Sequence, residues 1–194
     1  SMYPTDIKPQ YEEKTGLSHR VSRLNPWWNQ KDVDIHARFE KAMQITGDEL
    51  VERVKYYAFS WLPARSIVKE AFESRRSKAD PSGHIMVLEP YCPWKEGLFE
   101  LEKQEEREGG KECQVLYIIY QDEAGNWRVQ AIPEMPDSFV SRRPLPEAWR
   151  GLRDEQLSAE AGIEDCIFVH AAGFIGGNKS KEGAISMAKK ALEM

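Results

Sequence analysis

The sequence predicts an α/β protein of the α+β kind: an N-terminal helical arm followed by a mixed β-sheet with flanking helices. Three observations carry this. Apolar residues recur at three- and four-residue spacing from Asp34 to Phe59, apolar runs of strand length gather after Gly83, and the chain closes on a strand, a glycine cluster and a helix.

The elements follow in order. Residues 3 to 30 are rich in Pro, Asn and Tyr and hold one short helical candidate, Leu17 to Leu24, which stops before Asn25-Pro26 because a pre-proline residue disfavours α geometry. Trp27-Trp28 then reads as a docking element. Ile35, Phe39, Ala42, Met43, Leu50, Val54, Tyr57 and Ala58 mark one face of an amphipathic helix from Asp34 to Phe59, weakened at Gly47 by about 1 kcal/mol relative to Ala. Pro63 suits a first helical turn, so Trp61-Leu62-Pro63 opens a second helix carrying Ile67, Val68, Ala71 and Phe72. The arm thus runs over residues 3–80. Asp80-Pro81-Ser82-Gly83 has the residues of a type I turn and starts a second domain over 81–194.

Within that domain His84 to Leu88 reads as a strand, Pro93 to Lys103 as a short helix, and Lys103 to Glu112 as a solvated loop. Val115 to Tyr120 and Asn126 to Ile132 read as a hairpin about the turn Gln121 to Gly125. Four prolines keep 133 to 151 extended, with Trp149 as a core anchor. Arg153 to Ala161 is a helix stopped by Gly162. Cys166 to His170 reads as a strand, Ala171 to Lys179 as a glycine loop, and Ser180 to Leu192 as the last helix.

Composition excludes several classes. Of 194 residues, 41% are hydrophobic and 30% charged, a globular balance rather than a disordered one. Lys plus Arg (27) against Asp plus Glu (32) gives 27 − 32 = −5, so the whole molecule repels a polyanion and any nucleic-acid contact must be local. No run reaches the roughly 20 apolar residues of a membrane helix, and the N-terminus lacks a leader pattern, so a soluble intracellular chain with no membrane partner is expected. Ser1-Met2 reads as a cloning remnant ahead of an internal start, with natural sequence continuing upstream. Cys92, Cys113 and Cys166 are odd in number and far apart, without metal or redox spacing, and read as reduced and structural.

Two segments carry chemistry. Gly173, Gly176 and Gly177 precede Asn178, Lys179, Ser180 and Lys181 at a helix start. Unpaired N–H groups, the helix dipole and close backbone approach there favour an anion. Each charge-assisted bond to a phosphate would contribute about 1.5 to 3 kcal/mol. The plainer alternative is a tight turn with Ser180 as an N-cap and ordinary surface lysines. The stretch almost spells a P-loop, but lacks its second glycine and lies at the wrong end of the chain, which counts against a nucleotide kinase. Four arginines, Arg142, Arg143, Arg150 and Arg153, form a local cationic patch suited to phosphate and base contact. Its plainer alternative is pairing with Asp154 and Glu155. His170, at the carboxyl end of a strand, is positioned for a ligand or is simply a strand-end histidine; His19, His36 and His84 read as incidental.

Several blocks, taken together, resemble one family. They are Ser22-Arg23-Leu24-Asn25-Pro26 with Trp28-Asn29, Ser60-Trp61-Leu62-Pro63-Ala64-Arg65, Cys92-Pro93-Trp94-Lys95-Glu96 and Pro144 to Asp154, then Cys166 to Gly177 and Lys181 to Ala188. The chain resembles the melanocyte-proliferating-gene family, DHH-type phosphoesterases acting as 3′-to-5′ RNA exonucleases. The resemblance implies the carboxyl half only: a DHH-associated substrate domain over 81–194, with the arm as connector to a DHH domain this sequence does not contain. It implies Mn2+ or Mg2+ bound by that other domain, none in this chain and no catalysis by it alone. Ile175-Gly176-Gly177-Asn178 matches the family's Gly-Gly-Gly-His-like loop with Asn in place of His, which removes a proton carrier from the position. The implied phosphate contacts are His170, Gly173, Gly176, Gly177, Asn178, Lys179 and Ser180, with Arg142, Arg143 and Arg150 along the RNA backbone. Implied partners are single-stranded RNA, the parent's own DHH domain and a second copy in a homo-oligomer; implied locations are nucleus and mitochondrion. The alternative function is a protein-interaction or oligomerisation module that binds no nucleic acid.

Overall fold

The computed structural model describes residues 14–109 and 114–194. Ser1-Met2, the start of the expected arm, Cys113 and the far end of the expected 103–112 loop lie outside the described residues. The chain divides by packing into two compact units, Ser1–Phe59 and Ser60–Met194.

The first unit holds helices α1 (Leu17–Ser22) and α2 (Ile35–Tyr56). Asp34 caps α2, its carboxylate accepting the Ala37 N–H at 3.0 Å, which satisfies one of the donors a helix start leaves unpaired. Arg38 donates to the Leu24 carbonyl at 3.0 Å and ties α2 to the chain just after α1. The stripe expected from the spacing is present and wet: Ile35, Phe39, Met43, Leu50 and Val54 are all exposed, as are Trp27 and Trp28.

A π turn, Tyr57–Trp61, leads to α3 (Leu62–Lys78), with Pro63 in its first turn as expected. The second unit is a five-stranded mixed sheet: β1 (Ile85–Leu88), β2 (Tyr117–Gln121), β3 (Trp127–Ala131), β4 (Cys166–Val169) and β5 (Ile175–Asn178), in the order β1-β2-β3-β5-β4. Only the β1–β2 pair is parallel. The helices are α4 (Lys95–Arg107), α5 (Asp154–Ala161) and α6 (Lys181–Glu193), with a 3-10 turn at Glu147–Trp149.

Alternation along the strands divides two cores. Ile85, Val87, Tyr117, Ile119 and Val129 face α5 and α6, with Trp149 fully buried among them. Met86, Leu88 and Ile118 face α3 and α4. The helix α3, grouped with the arm in the sequence reading, therefore packs in the sheet unit. Gly162 at φ 59° ends α5, the left-handed stop the sequence predicts.

Two local expectations are corrected. The solvated loop from Lys103 is helix as far as Arg107, because Glu102 and Glu105 turn inward to Arg142 and Arg75, partners far along the chain. The expected glycine loop is a hairpin turn at His170–Gly173 followed by β5, a central strand whose two edges pair with β3 and β4. The near P-loop falls with it.

Candidate nucleic-acid interface

The turn between β4 and β5 sets the first sequence-predicted residues. His170 accepts the Gly173 N–H on its carbonyl at 2.7 Å and donates its own N–H to Ile175 at 2.9 Å. Its exposed ring accepts the Ala172 N–H at Nδ1 (3.1 Å) and packs on Phe174 with centroids 4.6 Å apart. Gly173 sits at φ +71°, and a Cβ there would meet Arg150 Nε at 2.7 Å and the Leu145 carbonyl at 3.1 Å. It is a close-packed corner, filled by the protein's own arginine.

Gly176 and Gly177 lie in β5 and point to opposite faces. A Cβ on Gly176 would press on Leu145, Val169 and the Phe168 carbonyl, all at 3.0 Å, so this glycine lets core and sheet close together. One on Gly177 would meet Arg128 Nη1 at 2.5 Å. Their backbones belong to the ladders with β3 and β4, which corrects the expectation of glycine amides free to cradle a phosphate.

Asn178 is fully buried and committed to its own chain. Its amide donates to the Glu164 carbonyl at 2.7 Å, and its Oδ1 accepts from the Ser180 N–H (2.9 Å) and hydroxyl (3.1 Å). Gly183, whose missing Cβ would overlap that side chain, leaves room for it. Ser180 caps α6 by accepting the Gly183 N–H at 3.0 Å, as the plainer reading expected. Lys179 is exposed and pairs with Asp165 at 3.0 Å, which holds its ammonium pKa above the usual value. The helix start is thus occupied by Asn178 and Ser180, with Lys179 at its margin.

Three arginines of the patch, Arg142, Arg143 and Arg150, are bonded within the chain. Arg142 grips both oxygens of Glu102 at 2.8 Å and the Val115 carbonyl at 2.9 Å, its side chain 8% exposed. Arg143 donates to the Leu192 carbonyl at 3.0 Å, and Arg150 to that of Leu145 at 3.0 Å. Neither Asp154 nor Glu155 is their partner in these bonds. Between Arg143 and Arg150 the phenol of Tyr117 is pushed up to about 12 by burial, which outweighs both cations. Burial likewise raises the thiols of Cys92 and Cys166, both free.

The face of β3, β5 and β4 opposite α5 and α6 went unread in the sequence. It carries Arg128, Gln130, Gly177 and Phe168, and neither α3 nor α4 contributes a core residue there. Arg128 pairs with Asp122 and lies 5.1 Å from the Phe168 ring centre; Arg153 stands 5.9 Å from the same ring. On the other face, at the start of α6, Lys181 lies 5.4 Å from the Trp127 ring, which packs on the α5–α6 core, and pairs with Glu89 at 2.6 Å. The signal that could have found the Arg128 face is plain alternation, since Arg128 and Gln130 flank Val129 in a strand.

Among the described residues no group of three or more His, Cys, Asp or Glu converges as a metal site, and no helix is long and apolar enough to cross a membrane. Among the described residues no donor set fits a manganese or magnesium ion, which the resemblance assigns to the other domain.

Residues 1–192 match the MYG1 exonuclease family model, described as an uncharacterised protein family, UPF0160. The chain is 51% identical to the MYG1 exonuclease of Rattus norvegicus and 50% to that of Homo sapiens, each over 95% of this chain and 48% of the relative. It is 47% identical to the MYG1 protein of Dictyostelium discoideum over 98% of this chain and 57% of that protein. The chain spans about half the length of the curated relatives it matches. No solved structure matches it.

Proposed function

The chain belongs to the MYG1 family, and from that premise we propose that it is the substrate-holding portion of a 3′-to-5′ RNA exonuclease whose cutting residues lie in the other half of the parent protein. The mammalian relatives carry the name exonuclease, which supports the reaction class. The observation that carries the gripping role is local: on a chain of net charge −5, Arg128 and Arg153 gather around the Phe168 ring on the sheet face that its own helices leave uncovered.

In this reading residues 81–194 serve as the DHH-associated domain of a DHH-type phosphodiesterase. The Mn2+ or Mg2+ and its ligands belong to the parent's other half. His170, exposed at the β4–β5 turn, and Lys179, exposed before α6, flank the binding face, while Gly173, Gly176, Gly177, Asn178 and Ser180 shape it from within. Arg142, Arg143 and Arg150 hold the scaffold instead of tracking RNA.

A second reading, an association module without nucleic-acid binding, is favoured by the apolar stripe of α2 and by Trp27 and Trp28, 70% and 97% exposed. Filter binding of short single-stranded RNA at two salt concentrations separates the two. The gripping role expects weak binding that falls with salt, and no cleavage by this chain with manganese added. RNA turnover by a clean preparation would sink the assignment of the cutting residues to the other half. Salt-independent or absent binding, with self-association in sedimentation, would hand the case to the second reading.

A further inference from the structure

Cross-strand pairing lines up one row over the sheet. Leu88 pairs with Tyr120, Tyr120 with Arg128, Arg128 with Gly177, Gly177 with Phe168, and Phe168 bridges to Arg153. Residues in such a row share one face, so the side chains read aliphatic, aromatic, cation, gap, aromatic, cation. The gap matters. Gly177 offers no side chain, and the Arg128 guanidinium lies into the space, against its backbone and beside the Phe168 ring.

That resting position is incomplete. Asp122 pairs with Arg128 Nη2, but Nη1 is buried with no acceptor, a charged donor out of water and unsatisfied. An acceptor from outside would be gained only if the guanidinium turned away from Gly177. A carboxylate ligand would serve the arginine and leave the ring idle; a phosphate one sugar away from a base matches the donor and the ring at once.

Resting on the RNA-holding reading, we propose that this row is the subsite for one nucleotide of a single strand, whose base stacks against Phe168 and Arg153 while Arg128 turns outward from Gly177 to take the adjoining phosphate. Asp122 holds the arginine in reserve between ligands. Gly177 serves as the parking space for a side chain, not as a phosphate cradle.

The experiment measures binding of a short 5′-labelled oligoadenylate by anisotropy, using the whole 194-residue chain at low and moderate salt, with thermal unfolding as the folding check. Arg128→Gln is expected to weaken binding about tenfold or more and to lower the slope of log affinity against log salt by about one. Phe168→Leu is expected to cost about five- to tenfold with the salt slope unchanged. Gly177→Ala, whose methyl drives the guanidinium outward, keeps or improves affinity. Lys189→Ala, on α6, changes nothing beyond the weak general attraction. If the unaltered chain binds while Arg128→Gln and Phe168→Leu bind equally well, the subsite is overturned and the RNA-holding reading stands. A loss in Gly177→Ala without one in Arg128→Gln returns the grip to the glycine backbone and also overturns it. No binding by the unaltered chain defeats the reading and the subsite together.

Discussion

Arg142 and Arg128 invite comparison, because both are arginines beside a phenyl ring with a carboxylate partner, yet one is closed and the other open. Arg142 meets Glu102 with two parallel bonds of 2.8 Å, adds the Val115 carbonyl and lies 4.7 Å from the Phe99 ring, with partner exposures of 8% and 12%. Arg128 meets Asp122 with one nitrogen and leaves another without an acceptor, at 21% and 19%. Charge on the surface of a sequence diagram says nothing about this difference. What separates a strut from a ligand contact is how many of the five guanidinium donors the protein itself has already used.

The comparison breaks first at Arg142. Arg142→Ala leaves Glu102 buried with only the Val115 N–H, at 2.8 Å, as a donor, so a loss of about 3 to 5 kcal/mol is expected in urea unfolding. Arg142→Lys keeps the charge but not the two-pronged geometry and is expected to recover only part. A loss under about 1 kcal/mol, the range of exposed pairs, would mean that Arg142 is no more closed than Arg128.

Next in size is the buried Asn178. Gly183→Ala improves helix propensity but puts a methyl where the Asn178 amide sits, and the clash is expected to prevail by about 1 to 3 kcal/mol. Measured with Asn178→Ala as a second background, the cost should largely vanish, because the obstructed side chain is gone. Persistence of the full penalty would show that Asn178 is not what Gly183 accommodates.

These cases mark what the sequence could and could not tell. The helices were legible because their signals are local: apolar spacing marks α2, Pro63 opens α3, Gly162 stops α5 and Ser180 caps α6. The sheet unit with flanking helices followed from the apolar runs. Strand β5 was not legible, since Ile175-Gly-Gly-Asn178 has almost no side chains to alternate and takes its conformation from pairing with β3 and β4. Glu102 and Glu105 read as solvated charge because the residues that bury them, Arg142 and Arg75, are remote in sequence. The glycine cluster shows in the sequence but its strand does not, and Arg128, the side chain that occupies the glycine gap, stands there in plain alternation with Val129.

Arg128 itself gives the next smaller effect on stability. Removing it leaves Asp122 with the N–H groups of Ala124 and Asn126 at 3.0 and 2.9 Å, so that carboxylate is not orphaned. Arg128→Gln is expected to change unfolding free energy by about 1 kcal/mol at most, whatever it does to RNA binding. A loss as large as that of Arg142→Ala would erase the distinction between the two arginines.

The smallest effect at neutral pH belongs to Tyr117, and it tests whether Arg143 and Arg150 side with the closed arginine. Two open cations beside a phenol would favour phenolate; here burial wins and the group stays protonated up to about 12. An unfolded chain loses that proton near pH 10. Between these values the unfolded state binds fewer protons than the folded one, so stability is intact below pH 10, falls with rising pH through the window and levels off above it. Tyr117→Phe gives up a long bond to the Pro144 carbonyl, 3.4 Å, and a side-chain hydrogen bond with Arg143, and is expected to cost about 0.5 to 1 kcal/mol at pH 7. In alkaline unfolding it should overtake the parent, because the phenol that favours the unfolded state is gone. Parallel alkaline limbs in parent and variant would mean that Arg143 and Arg150 stabilise the phenolate after all, and that these two arginines are as open as Arg128.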